Sequence, residues 1–169
     1  MRHDGSVSKA EERSRIRGVR RGVSPEARGA AAAGLASRVE TLCHSLNPEG
    51  PLACAAYAST ATEPPTEQII AALHSAGATL LLPRIAGDRL DWVRCTRETV
   101  MAPGPMGILE PVGPSVDASA LDSLDLWLVP ALAVDASGLR LGQGGGYYDR
   151  ALASVARHSA GGPLIVAVV

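Results

Sequence analysis

Four short apolar runs, separated by helical or turn-rich sequence, constrain the fold of this chain more than any other feature. They span residues 52–57, 79–82, 125–130 and 164–169. Runs of this length and character are typical of strands that are buried on both faces of a sheet. Helical segments between such strands predict a single-domain, three-layer α/β/α fold with a mostly parallel sheet. Ligands of such sheets bind at the carboxyl ends of the strands.

Two helices are predicted before the first strand. Residues 9–22 have helical spacing, with Ile16 and Val19 as a thin apolar stripe. Ser24, followed by a proline and a glutamate, predicts the N-cap of a second helix that runs to about Ser45. The chain therefore begins with two helices, the first of them polar on most sides.

The remaining elements are predicted from turn and cap residues. Thr66 is expected to cap a third helix, and Pro83 is expected to end the second strand. Residues 101–114 are rich in Gly and Pro and indicate a loop with one extended piece. Residues 134–141 resemble a hairpin, and residues 147–158 predict the last helix.

Length and composition indicate one cytoplasmic domain. The 169 residues suit a single domain, and we expect residues 1–7 to be disordered and residues 8–169 to form the domain. The three cysteines show no C-x-x-C spacing, and an odd number of them suits a reducing compartment. No apolar run reaches the roughly 18 residues of a membrane span. The polar N-terminus lacks the apolar region of a secretory signal. We also expect the protein to be a monomer.

The N-terminal segment is basic, although the net charge of the chain is -1. Residues 1–28 contain eight basic and four acidic residues. A nucleic-acid arm is one interpretation, but the segment has no interleaved aromatic residues, so we do not expect a nucleic-acid partner. A basic helix that faces a small anionic ligand is the simpler interpretation.

Lys9 and Arg13 are the strongest candidates on that helix. Their i,i+4 spacing places two like charges on one face, and a bound anion such as a nucleotide phosphate would relieve their repulsion. Lys9 is also the only lysine beside 15 arginines, which reflects either chance or a site that requires a compact ammonium group. The alternative for the pair is an ordinary solvated face.

A glycine-rich loop is the most informative local motif. It consists of Arg140, Leu141, Gly142, Gln143, Gly144, Gly145, Gly146, Tyr147 and Tyr148. Unshielded backbone N–H groups in such a loop, just before a helix, favour anion binding. Asp149 adds a hard oxygen ligand of the kind that Mg²⁺ prefers. The alternative is a flexible turn with two core tyrosines. Walker A, H-E-x-x-H, G-x-S-x-G and G-x-G-x-x-G motifs do not occur in the sequence.

These motifs occur in an order that resembles the family of 5-formyltetrahydrofolate cyclo-ligases, also called methenyltetrahydrofolate synthetases. The matching residues near the N-terminus are Lys9, Arg13, Arg20, Arg21, Ser24, Pro25, Glu26 and the segment 57–66 with Glu63. Further matches are Leu82-Pro83-Arg84, Asp91-Trp92, Met106-Gly107-Ile108-Leu109-Glu110-Pro111 and the segment 128–135. The glycine-rich loop through Arg150 is the most specific of these motifs, and the resemblance covers residues 9–169.

The resemblance implies a Rossmann-like domain of the type found in CoA transferases, and a role in one-carbon metabolism. The implied reaction is the conversion of 5-formyltetrahydrofolate to 5,10-methenyltetrahydrofolate, with ATP and Mg²⁺ and with release of ADP and phosphate. It assigns the ATP phosphates to Lys9, Arg13 and residues 140–148, and Mg²⁺ to Asp149. It assigns catalytic roles to Arg140 and Tyr147. It assigns folate binding to Tyr57, Glu63, Trp92 and Met106.

Members of the family continue beyond the strand that matches residues 164–169, so the chain is expected to be short at its C-terminus relative to them. Two functional hypotheses follow. The chain is either an active cyclo-ligase or a non-catalytic relative that binds nucleotide or folate.

Overall fold

The computed structural model describes residues 7–156 and 158–169, except for the side chains of Met106 and Ser159. Most of the segment predicted to be disordered, residues 1–6, lies outside the described residues. Within those residues, the helices are α1 (Lys9–Arg21), α2 (Pro25–Leu46), α3 (Glu67–Ser75), α4 (Ser119–Asp122) and α5 (Tyr147–Leu152). The strands are β1 (Ala53–Ala55), β2 (Thr79–Ala86), β3 (Arg89–Cys95), β4 (Met101–Pro103), β5 (Leu109–Pro111), β6 (Leu126–Pro130), β7 (Ala133–Val134), β8 (Arg140–Leu141) and β9 (Leu164–Val168).

Five of these strands form the central sheet, in the order β3-β2-β1-β6-β9. All neighbours are parallel except β2 and β3, which are antiparallel. Two small antiparallel hairpins, β4-β5 and β7-β8, lie outside it. The four apolar runs of the sequence therefore form the parallel part of the sheet, as their composition predicts.

Helices cover both faces of the sheet. On one face, Val39 of α2 and Ile69 and Leu73 of α3 pack against the strands. On the other face, Trp127 of β6 packs with residues of α4 and α5. The three-layer α/β/α architecture is thereby confirmed. None of the helices in the described part of the chain has the length and apolar character needed to cross a bilayer.

Side-chain caps define where the first two helices begin. The Ser8 hydroxyl accepts a hydrogen bond from the Glu11 N–H (3.2 Å), and the Glu11 carboxylate accepts one from the Ser8 N–H (2.9 Å). This is a capping box. Ser24 caps α2 as predicted, accepting from Ala27 N–H (3.2 Å). Local sequence therefore determines both starts.

The predicted apolar stripe on α1 is not buried in the core. No residue of α1, all of which the structure describes, is buried, and Val19 is 64% exposed. Arginines anchor the helix instead. One of them, Arg20, donates from Nη2 to the carbonyl oxygens of Ala131 (2.9 Å) and Leu132 (3.1 Å), just beyond β6.

Pro83 does not end the second strand, contrary to the prediction. Strand β2 continues to Ala86, paired throughout with β3. Proline lacks an N–H, but the Leu81 carbonyl and the Ile85 N–H on the same edge of β2 point away from β3. The missing donor of Pro83 therefore faces the side where β1 has already ended, so no ladder hydrogen bond is lost.

Three other local features differ from the prediction. The segment 101–114 forms the β4-β5 hairpin around a 3-10 turn rather than a loop with one extended piece. The last helix ends at Leu152, well before residue 158. Thr66 precedes α3, but its hydroxyl donates to the Tyr57 carbonyl (2.7 Å) instead of capping the helix.

Candidate active site

A cavity of about 470 Å³ opens at the carboxyl ends of β1 and β6. Its walls come from four parts of the chain: α1, the loop after β1, the second half of β2 with the β4-β5 hairpin, and the glycine-rich loop. The lining residues with functional side chains are Lys9, Arg13, Arg17, Tyr57, Glu63, Arg84, Glu110, Arg140, Gln143, Tyr147, Tyr148 and Asp149. The position matches the expectation for an open α/β sheet.

Most of the residues that the sequence singled out line this cavity, including every residue from Arg140 to Asp149. Trp92 does not. It is 4% exposed and packs edge to face against Trp127, with ring centroids 4.9 Å apart, and against Tyr148 at 6.4 Å. Trp92 therefore supports the Tyr148 ring from behind. The predicted role of Met106 rests on a side chain outside the described part of the structure.

Three cations of α1 form one wall of the cavity. Arg13 donates from Nε to the Gly142 carbonyl (2.8 Å), and Arg17 donates from Nη2 to the Gln143 carbonyl (2.7 Å). Lys9 lies on the rim, is exposed, and makes no hydrogen bond or ion pair with a described residue. Its ammonium is thus available to an anion in the cavity. Sequence reasoning gave Arg17 no binding role, although it continues the i,i+4 spacing of Lys9 and Arg13.

The glycine-rich loop adopts a backbone that most residues avoid. Gly144 has φ +114° and Gly146 has φ +69°. A Cβ on Gly144 would lie 3.9 Å from the Arg13 guanidinium, so this glycine is required by conformation rather than by space. Arg150 holds the loop from outside by donating to the Gly145 (3.0 Å) and Asp88 (2.7 Å) carbonyls.

Arg140 and Asp149 form an ion pair beside this loop. Arg140 also donates to the Pro130 carbonyl (3.1 Å) at the end of β6. The Asp149 side chain is 72% exposed and therefore accessible to a metal ion, whereas that of Arg140 is 13% exposed. Since α5 has no side-chain cap, Asp149 does not act as the cap of this helix.

Glu63 occupies the opposite wall, where its side chain is 7% exposed. Its Oε2 accepts from the Thr60 N–H (2.9 Å), and its Oε1 lies 3.5 Å from Nε2 of Gln143. Arg28 donates to the Glu63 backbone carbonyl (3.0 Å). The carboxylate is therefore fixed in orientation and retains free lone pairs toward the cavity.

Two tyrosine hydroxyls at the cavity are buried without a hydrogen-bond partner among the described residues. They belong to Tyr57, which is 3% exposed, and to Tyr148. Burial, reinforced by the charge of Glu63, raises the pKa of both phenols, so both remain neutral donors at neutral pH. The third tyrosine, Tyr147, donates to the Gly87 carbonyl (3.3 Å), and its ring faces the Arg150 guanidinium at 5.1 Å. Unpaired buried donors indicate a place for acceptor atoms of a ligand.

The acidic side chains fit Mg²⁺ only together with a ligand's own oxygens. Among the described residues, no group of three His, Cys, Asp or Glu side chains could hold a metal ion. Asp149 alone is suitably exposed at the glycine-rich loop. One carboxylate plus phosphate oxygens and water is a common Mg²⁺ environment, so the residues fit a metal that arrives with a polyphosphate.

Sequence reasoning assigned no site role to Glu110 or to the apolar residues beside it in the cavity wall. Glu110 of β5 accepts at Oε1 from the Ile85 N–H (2.9 Å), which places the β4-β5 hairpin against β2. Ile85, Leu90 and Ile108 give this wall an apolar surface. In the sequence, Glu110 is marked only as a glutamate between apolar residues after a tight turn. Its role could not be predicted because its partner, Ile85, lies 25 residues away.

Comparisons with a family model and with known proteins all indicate the same family. A model of the 5-formyltetrahydrofolate cyclo-ligase family matches residues 5–169. The 5-formyltetrahydrofolate cyclo-ligase of Mycolicibacterium smegmatis is 38% identical over 120 residues, which are 68% of this chain and 59% of that protein. The corresponding mouse protein is 33% identical over 119 residues, covering 66% and 59%. The matched region thus spans about three fifths of the length of these relatives.

Two solved structures share the fold. The NMR structure of Aquifex aeolicus 5,10-methenyltetrahydrofolate synthetase superposes with a TM-score of 0.71 at 28% identity, covering 95% of this chain and 77% of that one. The synthetase from Mycoplasma pneumoniae gives a TM-score of 0.63 at 18% identity, covering 89% and 80%, which shows the fold alone. Because the family model matches nearly the whole chain, this protein belongs to the 5-formyltetrahydrofolate cyclo-ligase family.

Proposed function

We propose that this chain carries out the reaction for which its family is named, the ATP- and Mg²⁺-dependent conversion of 5-formyltetrahydrofolate to 5,10-methenyltetrahydrofolate. ADP and phosphate are the other products. One observation carries the proposal: a single cavity has cations and a glycine-rich loop on one side and a buried carboxylate on the other. These are complementary to a polyphosphate and to a ring with hydrogen-bond donors.

Lys9, Arg13 and the glycine-rich loop bind the phosphates of ATP. Arg13 already contacts the loop carbonyl of Gly142, so its charge is fixed beside the loop, whereas Lys9 is free to approach a phosphate. The bend at Gly144 exposes backbone N–H groups that a Cβ-bearing residue would not expose in this conformation. Asp149 holds Mg²⁺, which when bound offsets the negative charge of the transferred phosphoryl group.

Glu63 binds the pterin ring of the folate. A carboxylate accepts two parallel hydrogen bonds from the ring N–H and the exocyclic amino group of a pterin. Thr60 keeps one Glu63 oxygen in place while leaving both oxygens able to accept further bonds. The apolar wall of Ile85, Leu90 and Ile108 supplies the flat contact surface that an aromatic ring system requires.

The chemistry consists mainly of positioning and charge compensation. The formyl oxygen attacks the terminal phosphorus of ATP and displaces ADP, which makes that oxygen a leaving group. N10 of the folate then attacks the activated carbon, which closes the five-membered ring; N10 loses its proton to solvent and phosphate departs, which leaves the methenyl product. Arg140 and Tyr147 line the cavity where charge develops on the phosphoryl oxygens. The buried hydroxyls of Tyr57 and Tyr148 donate to substrate oxygens, and both phenols stay protonated.

The decisive experiment combines binding and turnover. Isothermal titration measures ATP with Mg²⁺ and 5-formyltetrahydrofolate separately, and absorbance measures the methenyl product. We expect Glu63→Gln to weaken folate binding about tenfold or more while leaving ATP affinity unchanged, because one pterin donor then faces an amide donor. Gln68→Ala, on the exposed surface of α3, is the control.

The results separate three outcomes. Product formation supports the cyclo-ligase proposal. Binding of both ligands without product supports a non-catalytic relative instead. If the chain binds neither ligand, the proposal is refuted.

We also propose that the protein is monomeric and cytoplasmic. A cavity built within one chain supports a monomer, and three free thiols support a reducing compartment. Light scattering tests the monomeric state.

A further inference from the structure

One residue joins the two sides of the cavity. Gln143 lies in the glycine-rich loop, yet its side-chain amide reaches toward Glu63 on the opposite wall, 80 residues away in sequence. Its Nε2 lies 3.5 Å from Oε1 of Glu63, and its Oε1 accepts from Nε of Arg17 at 3.0 Å. The amide therefore uses its acceptor on α1 and its donor on the loop after β1.

The same residue is also held through its backbone. Nη2 of Arg17 donates to the Gln143 carbonyl at 2.7 Å, so one guanidinium contacts both the main chain and the side chain of Gln143. On the other side, Glu63 is oriented by the Thr60 N–H at 2.9 Å. Hydrogen bonds at 2.7–3.0 Å and one longer polar contact of 3.5 Å, between Gln143 and Glu63, thus connect α1 through the loop to Thr60.

We propose that Gln143 is a positioning residue that couples nucleotide binding to folate binding. The inference rests on the proposed function, which places ATP at the loop and the pterin at Glu63. Glycines flank Gln143, so the loop loses conformational freedom when a nucleotide binds. A pterin adds hydrogen bonds to Glu63 and so restrains both Glu63 and Gln143 further, which leaves the loop with less conformational freedom to lose when the nucleotide binds. The result is positive cooperativity between the two ligands.

The bridge itself is tested without any ligand, by amide hydrogen exchange at Thr60. Gln143→Glu keeps an acceptor for Arg17 but places a second carboxylate against Glu63. The repulsion displaces Glu63, and we expect exchange at Thr60 to accelerate about tenfold, the scale of one hydrogen bond to a charged group. Gln68→Glu makes the same chemical change on the exposed surface of α3 and is expected to leave Thr60 unchanged.

A swapped pair provides the rescue. In the double variant Glu63→Gln with Gln143→Glu, the amide and the carboxylate exchange places, so a donor again faces an acceptor. The new amide oxygen at residue 63 can still accept from the Thr60 N–H. We therefore expect Thr60 exchange to return to within about twofold of the parent rate. Unchanged exchange in Gln143→Glu, or no rescue in the double variant, overturns the inference.

The coupling is tested with a non-hydrolysable ATP analogue and Mg²⁺. We expect the parent protein to bind the analogue about fivefold more tightly when 5-formyltetrahydrofolate is saturating, and Gln143→Ala to reduce this ratio to less than about twofold. A ratio of one in a parent that binds both ligands, or a ratio retained in Gln143→Ala, overturns the inference and leaves the proposed function intact. A parent that binds neither ligand overturns the proposed function and the coupling with it, whatever the exchange experiment shows of the bridge.

Discussion

Tyr57→Phe is expected to stabilise the ligand-free protein and to weaken ligand binding. The Tyr57 side chain is 3% exposed, and its hydroxyl has no hydrogen-bond partner among the described residues. Burying an unpaired hydroxyl costs about 1–3 kcal/mol, and phenylalanine removes that cost without creating a cavity. We expect the free energy of unfolding to rise by about 1–2 kcal/mol. For a chain of this size, that corresponds to an increase in Tm of about 2–8 °C.

The assay is thermal and urea unfolding, with and without 5-formyltetrahydrofolate. The variant should unfold at a higher temperature than the parent when no ligand is present, and should gain less from the ligand, because the hydroxyl can no longer donate to it. Tyr147→Phe is the matched control, since the Tyr147 hydroxyl already has a partner in the Gly87 carbonyl, and it should lose stability slightly. A Tyr57→Phe variant that is no more stable than the parent would refute the reasoning, because the hydroxyl would then be satisfied in solution.

Three further predictions concern the phosphate side of the cavity. Lys9→Ala should weaken ATP binding about tenfold to a hundredfold with an unchanged Tm, whereas Arg21→Ala on the same helix should leave titrated ATP affinity unaltered. Gly144→Ala should weaken ATP binding about tenfold, because φ +114° is strained for alanine, while Gly18→Ala in α1 should raise the Tm slightly. Asp149→Asn should lower turnover more than folate affinity and raise the Mg²⁺ concentration for half-maximal rate. If the metal titration is unchanged, the role of Asp149 is limited to its ion pair with Arg140.

The predicted elements that matched the structure depend on local rules. Ser24 caps α2 because its own side chain reaches the N–H three residues later. The apolar runs at 52–57 and 125–130 became β1 and β6, because residues without polar groups are most stable inside a sheet covered on both faces. Glycine at residue 144 suits the backbone of the glycine-rich loop, because other residues rarely adopt φ +114°, whereas the anion site stays a prediction.

The predictions that failed depended on distant partners. Pro83 ends a strand only if its missing N–H is needed, and here the length of β1 removes that need. Ile16 and Val19 are the predicted apolar stripe of α1, but neither is buried, and Arg20 anchors the helix to carbonyl groups more than 110 residues away. The resemblance assigned Trp92 to folate binding, yet Trp92 packs against Trp127 in the core.

The sequence by itself determined the α/β class, the helix starts and the residue types of the site, because spacing, caps and composition act over a few residues. Only the tertiary structure decided which of these residues meet. Glu63 and Gln143 become neighbours because the loops after β1 and β8 converge at the same end of the sheet. The Tyr57 and Tyr148 hydroxyls have no hydrogen-bond partner among the described residues because both side chains pack into the same core cluster. Such contacts depend on the order of the strands, which no local pattern encodes.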